Sequence, residues 1–100
     1  MIEMINKVNP DHLEDWLIRN PEKVYVRSVE TALKLVESED LLESEFLEFY
    51  WGDKVYSKLY MKKSDVPTAM DKAIEYFVKN ELYEYAVKAK KAKDIYESSK

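Results

Sequence analysis

The distribution of apolar residues predicts an α+β fold, a small antiparallel sheet packed against three or four helices. Three observations carry that prediction. Capped segments near both ends of the chain place apolar residues at helical spacing. Residues 45–62 are rich in aromatic and other strand-forming side chains and are broken by the only glycine, Gly52. The composition, 46% hydrophobic and 36% charged with one Gly and three Pro, is that of an ordered chain with few loops. A length of 100 residues suits a single domain over 1–100, built on one core. An all-α bundle is the alternative, because Leu42, Phe46, Phe49, Tyr50, Tyr56 and Tyr60 also fit a helical stripe.

The first helix signal is Asn9-Pro10-Asp11, with Asn9 as N-cap, Pro10 at the first helical position and acids in the first turn, where the helix dipole favours them. Leu13, Trp16 and Leu17 share one face of it. Asn20-Pro21 closes that helix, since a residue before proline avoids helical dihedrals. Lys23-Val24-Tyr25-Val26-Arg27 then reads as a short strand on its β-branched and aromatic content. Ser28 caps a second helix bearing Val29, Ala32, Leu33 and Val36, with a Glu30–Lys34 pair, ending near Ser38.

Gly52-Asp53 suits a two-residue type II′ turn with glycine first, which makes 45–62 a hairpin. In that register Trp51 faces Lys54, Tyr50 faces Val55 and Phe49 faces Tyr56. Strict alternation puts Phe46, Tyr50, Val55, Leu59 and Met61 on one face, and Leu47, Phe49, Trp51, Tyr56 and Tyr60 with Lys54 and Lys58 on the other. Ser64-Asp65-Val66-Pro67 opens the helical remainder. Met70, Ala73, Ile74 and Phe77 point roughly 90° away from the stripe Leu82, Tyr85, Ala86, Ala89, Ala92 and Tyr96, so a straight helix would bury two stripes. A break at Asn80, as a left-handed cap or an N-cap, gives helices near 66–79 and 81–97, and the alanine face permits a close helix contact. The segments around Ala73-Ile74-Glu75-Tyr76-Phe77 and Tyr83-Glu84-Tyr85-Ala86-Val87 resemble one tetratricopeptide unit. No second copy is present, and such arrays need about three, so the resemblance reflects helix-hairpin composition.

The net charge of −4 conceals a split. Residues 1–53 carry 5 basic and 13 acidic side chains, or −8, and residues 54–100 carry 11 and 7, or +4. The acids are densest over Glu37, Glu39, Asp40, Glu43 and Glu45, a pattern that repels nucleic acid and attracts basic protein surfaces. These carboxylates do not have the spacing of an EF-hand loop, which also needs a glycine, so no metal or other cofactor is expected. His12 is the lone imidazole and sits in a first helical turn. No Gly-x-Ser-x-Gly elbow or glycine-rich phosphate cradle exists, and there is no cysteine. No enzymatic function is expected.

Ten large apolar side chains within residues 45–62 exceed what one sheet face can hide. The expected function is therefore a non-enzymatic protein-binding module, an adaptor or inhibitor of the kind found among small microbial or phage accessory proteins. Its partner surface is expected to comprise Tyr50, Trp51, Tyr56 and Tyr60 of the hairpin with Glu39, Asp40, Glu43, Glu45 and Glu48 of the acidic segment, since Tyr and Trp dominate binding energies. The partner is another protein, with a homodimer as one form of it. The alternative is a nucleic-acid-binding module using Lys88, Lys90, Lys91 and Lys93, weakened by the near absence of arginine and by the pairs Glu84–Lys88, Lys90–Asp94 and Lys93–Glu97. No membrane partner is expected, and the cytoplasm is the expected location.

Overall fold

The computed structural model describes residues 5–99. In chain order it contains strand β1 (Ile5–Lys7), a 3-10 turn (Pro10–His12), helices α1 (Leu13–Arg19) and α2 (Pro21–Glu37), strands β2 (Glu43–Trp51) and β3 (Lys54–Lys62), a second 3-10 turn (Lys63–Asp65), and helices α3 (Val66–Lys79) and α4 (Tyr83–Ser98). The fold is α+β, with a hairpin packed on helices. The sheet order is β1-β2-β3, with β1 parallel and β3 antiparallel to the central β2.

Two of the four helices start as their sequences dictate. The Asn9 side chain accepts a hydrogen bond from the Asp11 amide (2.9 Å) and caps the 3-10 turn that runs into α1. Pro21 occupies the first turn of α2, where its missing amide costs nothing. This corrects the expected strand over 23–27, because the chain is helical from Pro21 onward. Val24 packs on the sheet-side cluster, while Tyr25, Val29, Ala32, Leu35 and Val36 pack on the main one. Burial of that stripe outweighs the β-propensity of Val24-Tyr25-Val26. Ser28 is an interior helical residue rather than a cap, and its hydroxyl donates to the Val24 carbonyl (2.8 Å). Glu30 pairs with Arg27 (3.2 Å), not with Lys34, whose ammonium reaches the Ser44 hydroxyl. The helix ends at Ser38, as expected.

The third strand is β1, whose three residues are too short to leave a sequence signal. Parallel neighbours require a crossover, which α1 and α2 supply. The helices cover one face of the sheet in two clusters. Val29, Leu35, Met61, Val66, Met70 and Phe77 anchor the larger, and Val8, Leu47 and Phe49 with Trp16 the smaller. Phe46 packs against both and makes them continuous. Tyr25 stacks on Tyr76 (4.8 Å between centroids, 26° between planes), and Phe77 stacks on Tyr85 (5.3 Å). These rings tie α2, α3 and α4 together. Fully buried Ala89 and Ala92 let α4 lie close against α2 and α3, as the alanine stripe predicts.

The break between α3 and α4 falls where the two stripes require it, but Asn80 is not the left-handed residue. Asn80 keeps φ −101° and donates from its side chain to the Tyr76 carbonyl, and Glu81 takes φ +58°. The Leu82 amide reaches back to the Phe77 carbonyl (2.7 Å) and the Glu81 amide to the Val78 carbonyl (3.1 Å), the paired bonds of a Schellman cap. At the opening of α3, Ser64-Asp65-Val66-Pro67 does start the helix as expected, but through a 3-10 turn and Pro67 rather than a side-chain cap bond.

Two stability outcomes follow from this geometry. Glu81→Gly relieves the left-handed strain and should raise the unfolding free energy by about 1 kcal/mol, read by urea denaturation. Arg27 donates from Nε to the Phe46 carbonyl (3.1 Å), so Arg27→Met should cost about 1.5–3 kcal/mol in the same measurement.

Candidate functional site

The hairpin was expected to carry the functional surface, and its geometry starts at the turn. Gly52 has φ +67°, and Asp53 is not among the residues with positive φ, which is the pattern of a type II′ turn. Trp51 faces Lys54 and Tyr50 faces Val55, as the turn dictates. Two bulges then intervene. Tyr56 has no partner on β2, which shifts Phe49 onto Ser57, Glu48 onto Lys58 and Leu47 onto Leu59. Phe46 has no partner on β3, which restores the original register at Glu45–Tyr60, Ser44–Met61 and Glu43–Lys62.

Compensating bulges correct the expected division of faces. Strict alternation fails at each extra residue, so Phe46, Leu47, Phe49, Tyr56, Leu59 and Met61 all turn toward the helices. The outer face carries Tyr50 with Val55, Glu48 with Lys58, Glu45 with Tyr60 and Glu43 with Lys62. Tyr50 and Val55 belong to neither core cluster, and Tyr60 is 56% exposed.

The expected partner-binding residues are thereby distributed among four places. Tyr50, Tyr60, Glu43, Glu45 and Glu48 share the outer face. Trp51 follows Phe49 on the other side but stands uncovered at the hairpin tip, 54% exposed. Glu39 and Asp40 lie exposed in the loop 38–42, at the far end of β2 from the tip, about 30 Å away for a nine-residue strand. Tyr56 belongs to the interior, where its ring packs beside Phe49 and its hydroxyl donates to the Val8 carbonyl (2.7 Å).

Electrostatics on the outer face is organised by column. The Tyr50 hydroxyl donates to Glu48 Oε2 (3.1 Å), and that bond, helped by burial and the Glu48 charge, holds the phenol above its ordinary ionisation range. Lys58 lies 3.5 Å from Glu45, whose charge raises the ammonium's pKa. The acidic segment is thus not a bare negative patch along the sheet, because β3 sets lysines beside it. The sequence reading overlooked Lys62 in this role. The even spacing of Lys58 and Lys62, which puts both on one face of a strand, is the signal that could have found these partners.

Three of the four C-terminal lysines have local partners. Lys93 bonds Asp71 of α3 (2.7 Å) rather than Glu97, and Asp71 raises its pKa. Lys90 is 3.9 Å from Asp94, as expected, and Lys88 sits over the Tyr85 ring. Lys91 is exposed beside a shallow, open groove lined by Val87, Lys90 and Ile95. His12 is exposed at the junction of the 3-10 turn and α1. Among the described residues no three His, Asp or Glu side chains gather around a common point for a metal ion, and no helix is long and apolar enough to cross a membrane. Protein-family models, curated proteins and solved structures contain no match to this chain.

Burial holds the Tyr56 phenol above its ordinary pKa of 10.0. The folded state therefore binds that proton more tightly than the unfolded state, so its contribution is complete below about pH 10 and disappears as pH rises through the raised value. Unfolding free energy should fall above pH 10, and Tyr56→Phe should make that fall shallower. At neutral pH the same variant should lose about 1–2 kcal/mol because the Val8 carbonyl loses its donor, as measured by denaturant titration at several pH values.

Proposed function

We propose that this chain is a non-enzymatic protein-interaction module of the cytoplasm, an adaptor or inhibitor, whose contact surface is the outer face of the hairpin with the adjoining acidic loop. The observation that carries the reading is the uncovered outer face of β2 and β3, where exposed Tyr60 and half-buried Tyr50 stand among Glu43, Glu45 and Glu48. Tyrosines fixed by their neighbours bring large contact area at low entropic cost, and carboxylates around them select basic surfaces. Glu39 and Asp40 extend that acidic character beyond the sheet. The engagement of Lys90 and Lys93 with carboxylates weighs against the nucleic-acid alternative, because counterion release needs lysines that are open to phosphate.

The tagged chain should recover a stoichiometric protein from the lysate of its own cells, unaffected by nuclease. Glu39→Lys combined with Asp40→Lys should release that protein at least tenfold more readily without lowering the melting temperature, since both residues are exposed. Trp51→Ala reports separately on the tip. Recovery that vanishes with nuclease, or with Lys88→Glu and Lys91→Glu but not with the acidic variants, would overturn the proposal.

A further inference from the structure

We infer that the outer face of the hairpin is the seam of a homodimer, in which β2 of one copy lies over β3 of the other about a two-fold axis parallel to the strands. The inference rests on the hairpin being an interaction surface, and it names the occupant of the outer face.

Charge selects the arrangement. On the outer face β2 bears Glu43, Glu45 and Glu48, and the adjacent β3 bears Lys58 and Lys62. Two copies packed face to face can be related by an axis in the interface plane that runs either across the strands or along them. The axis across the strands stacks β2 on β2 and sets carboxylate against carboxylate. An axis along the strands, passing between β2 and β3, stacks acidic column on basic column at both halves of the seam.

The cross-strand register fixes the contacts. Residues paired across the hairpin lie at the same height along the strands, so the rotation sets each over its partner's counterpart. Glu48 comes over Lys58 of the partner subunit, Glu43 over Lys62 of the partner subunit, and Tyr50 over Val55 of the partner subunit. Stacked sheets lie about 10 Å apart, a gap that a glutamate and a lysine span together. Sheets pack at about −30°, so the match is best near mid-strand, where Glu48 and Lys58 lie. Each contact occurs twice, and Glu45, already 3.5 Å from Lys58, joins the four central charges into a network. Edge-to-edge pairing through β3 is disfavoured, because it brings Lys54, Lys58 and Lys62 of two copies together.

Size sets the strength. Nine-residue strands are about 30 Å long, and two of them at the usual strand spacing present a face about 10 Å wide, or roughly 600 Å² buried over both copies. That is well below the roughly 1,000 Å² of a stable interface, so the dimer is a weak one, expected at about a hundred micromolar and above. Because the axis runs along the strands, both acidic loops 38–42 emerge at one end of the dimer and both Trp51 tips at the other. The dimer is thus bivalent for a basic partner.

The test is sedimentation equilibrium from 1 μM to 1 mM. The wild-type chain should dimerise reversibly, and 1 M NaCl should weaken the association. Glu48→Lys and Lys58→Glu should each weaken it at least tenfold, since each change creates like-charge contacts twice. Mixed in equal amounts, the two variants should form a heterodimer, because every central contact is then again between opposite charges. Circular dichroism and melting curves establish that each variant is folded. If either is not, the salt response and a Tyr60→Asp variant, which places a carboxylate over Glu45 of the partner subunit, decide the matter. A wild-type chain that stays monomeric to 1 mM, or a dimer indifferent to both salt and charge reversal, overturns the inference. A monomer that still releases its protein partner on Glu39→Lys with Asp40→Lys defeats the homodimer alone. A dimer rescued by mixing that recovers no other protein defeats only the adaptor reading.

Discussion

The arrangement of this protein depends on the bulge at Phe46. Removing one residue from the ladder there lets Phe46 and Leu47 both turn inward, so a single aromatic ring joins the two core clusters. The same irregularity leaves the Phe46 carbonyl for Arg27, whose guanidinium fastens α2 to the sheet while pairing with Glu30. Without a second bulge the slip would propagate to the turn and reverse every side chain beyond it. Tyr56 supplies that bulge on the opposite strand and is held by its bond to the Val8 carbonyl beside β1. A three-residue parallel strand, a half-buried tyrosine and an arginine on a helix thus jointly keep the hairpin in register.

Much of the fold was legible because its signals are local. Asn9-Pro10 names a helix start, Gly52-Asp53 names a turn, and two apolar stripes pointing in different directions require a break near residue 80. The sequence misled where two local rules compete. Val24-Tyr25-Val26 has strand propensity, but Pro21 starts a helix and the buried stripe that follows repeats at helical spacing over 17 residues. Periodicity extending across four turns outweighs propensity confined to one, because each further turn adds buried area. The strand β1 was illegible for the opposite reason, since three residues carry no period at all.

At the candidate site the turn register was legible and the faces were not. The pairs at both ends of the hairpin follow from the type II′ turn, and only the three between the bulges are displaced. That displacement moves Leu59 and Met61 inward and Tyr60 outward, a change no residue count could foretell because it depends on the demand for apolar volume beneath α2. Tyr56 shows the same effect in a single residue. A tyrosine beside a turn suggests a contact surface, yet here its hydroxyl completes the interior by satisfying a main-chain acceptor.

The boundary in charge along the chain coincides with the hairpin turn. The half ending at Asp53 carries −8 and the half beginning at Lys54 carries +4, so folding back at Gly52 lays an acidic strand beside a basic one. Within one molecule this adds little, because exposed cross-strand pairs contribute only some tenths of a kcal/mol. Solubility does not ask for it either, as scattered charges of both signs serve as well. Columns of opposite sign side by side do have one distinctive property: the face is complementary to itself under a rotation along the strands and repels itself under a rotation across them. Internal charge pairs of modest energy become a rule for orientation wherever two such faces meet.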